Sequence, residues 1–101
     1  MSNHFVILGD RARPFTPEVI ERHIDHLRWL DDTGHLVICG PFLDYPGGMI
    51  ILTAEDLDEA DRLARQDPFV DEGYWTYQVR SLQVSSKENG YGLTVVKSLF
   101  L

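Results

Sequence analysis

Two side chains in this sequence combine chemical capacity with an unusual position, His23 and Asp67. His23 falls among Ile20, Ile24 and Leu27, on the apolar stripe of a predicted helix. Asp67 lies one turn past Leu63 and two past Ala60, so it continues the buried stripe of a second predicted helix. A carboxylate at the end of a helix meets the negative pole of the helix dipole, and burial further disfavours its charge. A neighbouring imidazolium compensates for both. An aspartate that orients a histidine and stabilises its protonated form is a workable acid–base pair. A plainer account stays open at this point: an interior histidine satisfied by its surroundings, and an aspartate that starts a turn before Pro68.

Other combinations are weaker. His23 and His26 stand at i and i+3, a spacing that allows both to reach one metal ion. About 100° around a helix separates them, no third ligand is evident, and no metal site is expected. Cys39 sits in the apolar run Leu36-Val37-Ile38-Cys39 and reads as a small buried hydrophobe. Arg11 and Arg13 read as a solvated loop ahead of the first helix, with anion binding at its N-terminus the less favoured alternative. Gly47-Gly48 lacks the rest of a phosphate-loop pattern and reads as a turn. There is no Gly-x-Ser-x-Gly elbow.

The elements that position His23 and Asp67 follow from apolar periodicity. His4 to Leu8 is a short buried strand ending at Gly9-Asp10. Thr16-Pro17-Glu18 supplies a hydroxyl N-cap, a proline at the first helical position and an acid in the first turn. The helix that follows runs to about Thr33, with Ile20, Ile24, Leu27 and Leu30 inward, Val19 at the margin, and Gly34 at C′. His35 to Cys39 and Met49 to Leu52 form two further strands. Thr53 is the expected N-cap of a second helix that buries Leu57, Ala60, Leu63 and Ala64 and stops at Pro68. Tyr74 to Val84 is the fourth strand.

The order is βαββαβ, the split βαβ pattern of ferredoxin-like α+β domains. Two crossover helices would cover one face of an antiparallel sheet. The other face, rich in aromatic and branched residues, is expected to pack against a second copy of the chain, since a large bare apolar face on a soluble domain marks an interface. Residues 1–84 make this domain. Residues 85–101 are a C-terminal extension, polar to Asn89-Gly90 and apolar from Leu93 to Leu101, expected as a further strand on the same domain or its dimer partner.

Composition excludes several classes. The 101 residues suffice for one domain. The formal net charge is −7, with nine scattered Lys and Arg residues. That balance disfavours nucleic acid and anionic membrane surfaces as partners. One cysteine permits no internal disulfide and fits a reducing cytoplasm. No secretory signal or membrane-length apolar run is present in the sequence.

Three stretches carry a family resemblance: Arg22-His23-Ile24-Asp25-His26-Leu27-Arg28-Trp29-Leu30, Gly34-His35-Leu36-Val37-Ile38-Cys39-Gly40-Pro41, and Asp67-Pro68-Phe69 followed by Gly73. A helix-borne histidine, then Gly-x-Leu and a strand closed by Gly-Pro, then Asp-Pro-Phe ahead of a glycine, resembles the YCII (YciI-related) family. The resemblance extends over about residues 4–84 in matching order. It implies a ferredoxin-like dimer of the dimeric α+β barrel type, and it makes His23, rather than His26, and Asp67 the active-site pair. Some members are similar to enzymes that dechlorinate or isomerise ring-derived compounds without a cofactor, near the muconolactone-isomerase type. The chain departs from the pattern at Ile20, where many members carry arginine. The resemblance therefore transfers no anion-binding arginine to it.

The function expected is a cofactor-independent lyase, dehydrochlorinase-like, or an isomerase. His23 moves a proton and Asp67 orients it. Phe69, Tyr74 and Trp75 line an apolar pocket, and Gly40 and Pro41 complete the substrate-binding set. The alternative is a dimeric module that binds a small molecule without converting it. A third possibility is a purely structural partner domain.

Overall fold

The computed structural model describes residues 3–101. Its order is β1 (His4–Arg11), α1 (Pro17–Asp32), β2 (Leu36–Pro41), β3 (Gly47–Thr53), α2 (Leu57–Arg65), the single turn α3 (Pro68–Asp71), β4 (Trp75–Leu82), a 3₁₀ segment (Lys87–Gly92) and α4 (Leu93–Phe100). The four strands pair antiparallel in the order β2-β3-β1-β4. This is the ferredoxin-like α+β arrangement, with α3 added between α2 and β4.

The caps fix where the helices start and stop. Thr16 accepts from the Val19 N–H at 3.2 Å to open α1. At its other end Gly34 adopts φ +80°, the N–H of His35 reaches the Leu30 carbonyl, and that of Gly34 reaches Asp31. The second helix starts three residues later than its sequence implies. Thr53 ends β3, where its N–H bonds the His35 carbonyl, and Asp56 is the cap, accepting from Glu59 N–H at 2.8 Å. Leu57, at the first position of α2, is exposed rather than inward.

The core lies between the sheet and the helices. It takes Phe5 and Ile7 from β1, Ile50 and Leu52 from β3, and Ala60, Leu63 and Ala64 from α2. In α1 the inward stripe is rotated from the expected one. Val19 and Leu30 are fully buried, whereas Ile20 and Ile24 are exposed. Those two isoleucines border a cleft instead of the core.

The opposite sheet face carries Val6, Leu8, Met49, Ile51 and Ile38, the residues that alternate with the buried set. Ile38 and Leu8 are exposed. Among the described residues, no helix covers this face.

The C-terminal strand expected from Leu93 onward is instead helical. The reason lies in the preceding turn. Asn89 donates to the Val84 carbonyl and accepts from the Ser86 and Gly92 N–H groups. Gly90, Tyr91 and Gly92 all take positive φ. This knot turns the chain out of β4, and Asn89-Gly90 makes no hairpin. None of the α4 side chains is buried. Among the described residues, no helix is long and apolar enough to cross a membrane.

Candidate active site

The central feature is made by two elements brought together by short-range signals. Asp67 ends no helix dipole: it is the N-cap of α3, and its Oδ1 accepts from the Phe69 N–H at 2.9 Å. Pro68 follows as the first helical residue. The carboxylate thus meets the positive end of a turn, a correction to the macrodipole reading of the sequence. Pro68 stops α2 by starting α3.

Asp67 is only 1% exposed. Its two oxygens lie 2.9 and 2.8 Å from His23 Nδ1. Both are acceptors, so Nδ1 carries the proton and donates it. In the neutral ring the Nε2 lone pair is then on the other edge.

The ring plane is fixed as well. Phe69 stacks on His23 at 3.8 Å between centroids and 6° between planes. Phe15 stacks on the far side of Phe69 at 4.4 Å and 2°. Trp75 stands edge-on to His23 at 5.7 Å and 62°. Aromatic packing of this kind limits rotation about the His23 side-chain bonds.

Ion pairs hold the loop that carries the aspartate. Arg22 forms a two-pronged pair with Glu72, and Arg13 donates to the Glu72 carbonyl at 2.7 Å. The Arg22 hydrogen bond and charge pull the Glu72 carboxyl below its usual range. On the inner side of α1, His26 has its imidazole pushed below the ordinary 6.5. Burial is the chief cause, opposed by the Asp67 charge and reinforced by His23.

A cavity of about 330 Å³ opens beside His23, between α1 and the end of the sheet. Gly40, Pro41, Phe69 and Trp75, all expected in the substrate-binding set, line it together with His23. Tyr74 does not reach it. Its ring is buried against Phe15, with the Arg13 guanidinium 3.8 Å above it. Sequence reasoning missed Phe15, Ile20, Ile24, Leu27, Cys39 and Met49 as walls of the cleft. The three α1 positions carried the right signal, an apolar stripe, which was assigned to the core. Cys39 faces the cleft, and burial pushes its thiol up. No Lys, Arg, Asp or Glu lines the cavity.

Among the described residues, no group of three His, Cys, Asp or Glu side chains is placed to hold a metal. The arrangement can do one kind of chemistry directly. An imidazole held through Nδ1 lines a mostly apolar cleft, and in its neutral form Nε2 is its basic nitrogen.

Comparison with known proteins agrees with this architecture. The family model for the YCII-related domain matches residues 6–83. The uncharacterized protein YjpA of Bacillus subtilis is 32% identical over 69 residues, covering 68% of this chain and 81% of that protein. Among solved structures, 5-chloro-2-hydroxyhydroquinone dehydrochlorinase (TftG) from Burkholderia phenoliruptrix, in complex with 2,5-dihydroxybenzoquinone, superposes with a TM-score of 0.60. That match covers 83% of this chain and 97% of the other at 24% identity, a likeness of fold.

Proposed function

The chain belongs to the YCII family, and from that premise we propose that it is a cofactor-independent enzyme in which His23 and Asp67 act as an acid–base pair on a small ring-derived metabolite. The observation that carries this reading is the bond from His23 Nδ1 to a fully buried carboxylate. In the neutral ring it leaves the lone pair on Nε2, and His23 lines the cleft.

In the reaction, His23 Nε2 takes a proton from the ring substrate. The electron pair of the broken bond enters the ring. In a dehydrochlorinase-type elimination that proton is returned to the chlorine-bearing ring carbon, giving the keto tautomer; Nε2 then takes a second hydroxyl proton, whose electron pair expels chloride, so the products are the quinone, chloride and a proton. In an isomerisation the same nitrogen returns the proton to another ring position. Asp67 holds the imidazole in its tautomer and balances the positive charge that develops on it. The likeness of fold to TftG supports the first of these, since that protein is named as a dehydrochlorinase.

The functional unit is a homodimer. The bare sheet face around Leu8, Ile38 and Ile51 is apolar, and a second copy laid face to face would cover it.

The test is chloride release from 5-chloro-2-hydroxyhydroquinone, with related chlorinated hydroquinones as further substrates. Wild type releases chloride, and His23→Asn lowers the rate by roughly 10²–10⁴-fold. Equal turnover by wild type and His23→Asn would end the acid–base assignment. Tight binding of such a ring, recovered unaltered, would instead establish a binding module.

A further inference from the structure

Trp75 is seated by two glycines on neighbouring strands. Gly9 of β1 and Gly48 of β3 are register partners. A Cβ added at Gly9 would stand 2.2 Å from Cδ2 and Cε3 of the indole, and one at Gly48 would stand 3.3 Å from Cζ2. The indole, rooted on β4, therefore reaches across β1 to β3 over bare backbone. Cζ2 and Nε1 are both bonded to Cε2, so the N–H lies on the Gly48 side of the ring. Pro41, whose Cα lies 3.3 Å from that same Gly48 position, lines the cleft with Trp75.

This N–H is buried and meets no acceptor among the described residues. Trp75 itself is 7% exposed. Indole nitrogen is a donor only, and a buried donor without an acceptor is costly unless something supplies one. The His23 ring stands edge-on to the indole, with its Nδ1 committed to Asp67. The wall of the cleft thus contains one unpaired donor and, in neutral His23, one uncommitted ring nitrogen, among residues that carry no carboxylate, Lys or Arg.

We propose that Trp75 binds and orients the ligand: its Nε1–H donates to an oxygen of an uncharged, planar ring compound, and so sets which edge of the ring faces His23 Nε2. This rests on the reading of the cleft as a substrate site. Lack of any cationic side chain in the lining disfavours carboxylates and phosphates, because their charge would be desolvated without a partner. Donor-only chemistry at Trp75 selects for an acceptor oxygen, whether carbonyl, ether or hydroxyl.

Three simple probes separate the parts of this proposal: acetophenone, which carries an acceptor oxygen, ethylbenzene, which lacks one, and benzoate, which is charged. The readouts are the indole N–H signals of Trp29 and Trp75 and the ring signals of His23 in nitrogen-15-labelled protein. Acetophenone moves the Trp75 indole N–H downfield and shifts His23, leaving Trp29 in place. Ethylbenzene shifts His23 without that downfield move. Benzoate binds about tenfold more weakly than acetophenone. Trp75→Phe keeps a ring over the glycines but removes the donor, and it weakens acetophenone about tenfold while leaving ethylbenzene unchanged.

Equal weakening of both neutral probes overturns the role of Trp75, as does a shift of His23 by acetophenone without the indole response. No response of either residue to any probe overturns it too, and removes the cleft as a ligand site. Wild-type spectra decide the matter even if Trp75→Phe fails to fold. The full Trp75 signature, combined with undiminished turnover by His23→Asn, would sink the acid–base reading alone.

Discussion

The Oδ1 of Asp67 accepts from the Phe69 N–H at 2.9 Å while the same carboxylate accepts from His23. The group that fixes the histidine is thus fixed by the backbone that follows it, and Phe69 in turn stacks on the imidazole. Three contacts close a small ring of mutual support. Removing the carboxylate breaks two of them and leaves His23 Nδ1 and a backbone donor unsatisfied. Asp67→Ala should cost about 3 kcal/mol of unfolding free energy, as for other broken buried pairs. Asp67→Asn still accepts from Phe69, and should cost roughly 1–2 kcal/mol. Urea unfolding gives both values. Nitrogen-15 shifts of the His23 ring, assigning the proton to Nδ1 in wild type and to a mixture in Asp67→Asn, separate the orienting role from the structural one.

Much of this arrangement was legible in the residues. Thr16-Pro17, Gly34 and the strand-length apolar runs gave the βαββαβ order because caps and glycines act locally. His23 and Asp67 stood out because each interrupts an apolar stripe. The orientation of α1 was not legible: Ile20 and Ile24 have the same hydrophobicity whether they face a core or an open cleft. Asp67 was misplaced for a related reason. Asp-Pro both ends a helix and begins one, and only the Phe69 N–H reveals which. In the tail, Val95, Val96 and Phe100 favour a strand, but the turn around Asn89 determines where the chain goes.

Gly9 and Trp75 should be strongly coupled. A methyl at Gly9 would overlap the indole at 2.2 Å, and β-sheet backbone leaves little room to yield. Gly9→Ala should lose about 2–3 kcal/mol, in the range of overpacked cores. Replacing the indole with Leu in the same chain, Gly9→Ala/Trp75→Leu, should lose less than the sum of the two single changes. A double-mutant cycle by urea unfolding measures the difference. Strict additivity would contradict the close packing of this pair.

Acid should destabilise the fold in two separate ranges. His26 has a folded value below 6.5, so below that pH the unfolded chain binds the proton more readily. Stability is complete above about 6.5 and declines as pH falls from there toward the folded value. Asp67 opposes this shift and His23 reinforces it. Glu72, held low by Arg22, adds a second loss as pH falls below 4.5 through its folded value. His26→Phe should flatten the upper range and leave the lower one in place. Thermal melts from pH 8 to pH 2 give both slopes.

The tail helix should contribute little to the stability of one chain. None of the side chains of α4 is buried, and Leu99, Phe100 and Leu101 are among the most exposed apolar residues of the molecule. Truncation after Val84 should change the unfolding free energy by no more than about 0.5 kcal/mol, as for other surface changes. A larger loss that grows with protein concentration would place the helix in the contact between copies.

Leu8 and Ile38 test the face-to-face dimer more directly. They stand on the open sheet face, across β1, β3 and β2, with Met49 and Ile51 between them. A Glu at Ile38 adds a charge to this face without touching the core or the His23 cleft. If a second copy covers the face, burying that charge without a partner costs several kcal/mol per copy. Wild type should then scatter light as twice the 11.6 kDa chain, and Ile38→Glu as a single one, with an unchanged circular-dichroism spectrum. A monomeric wild type, or an Ile38→Glu variant that remains dimeric, would assign the open face another role.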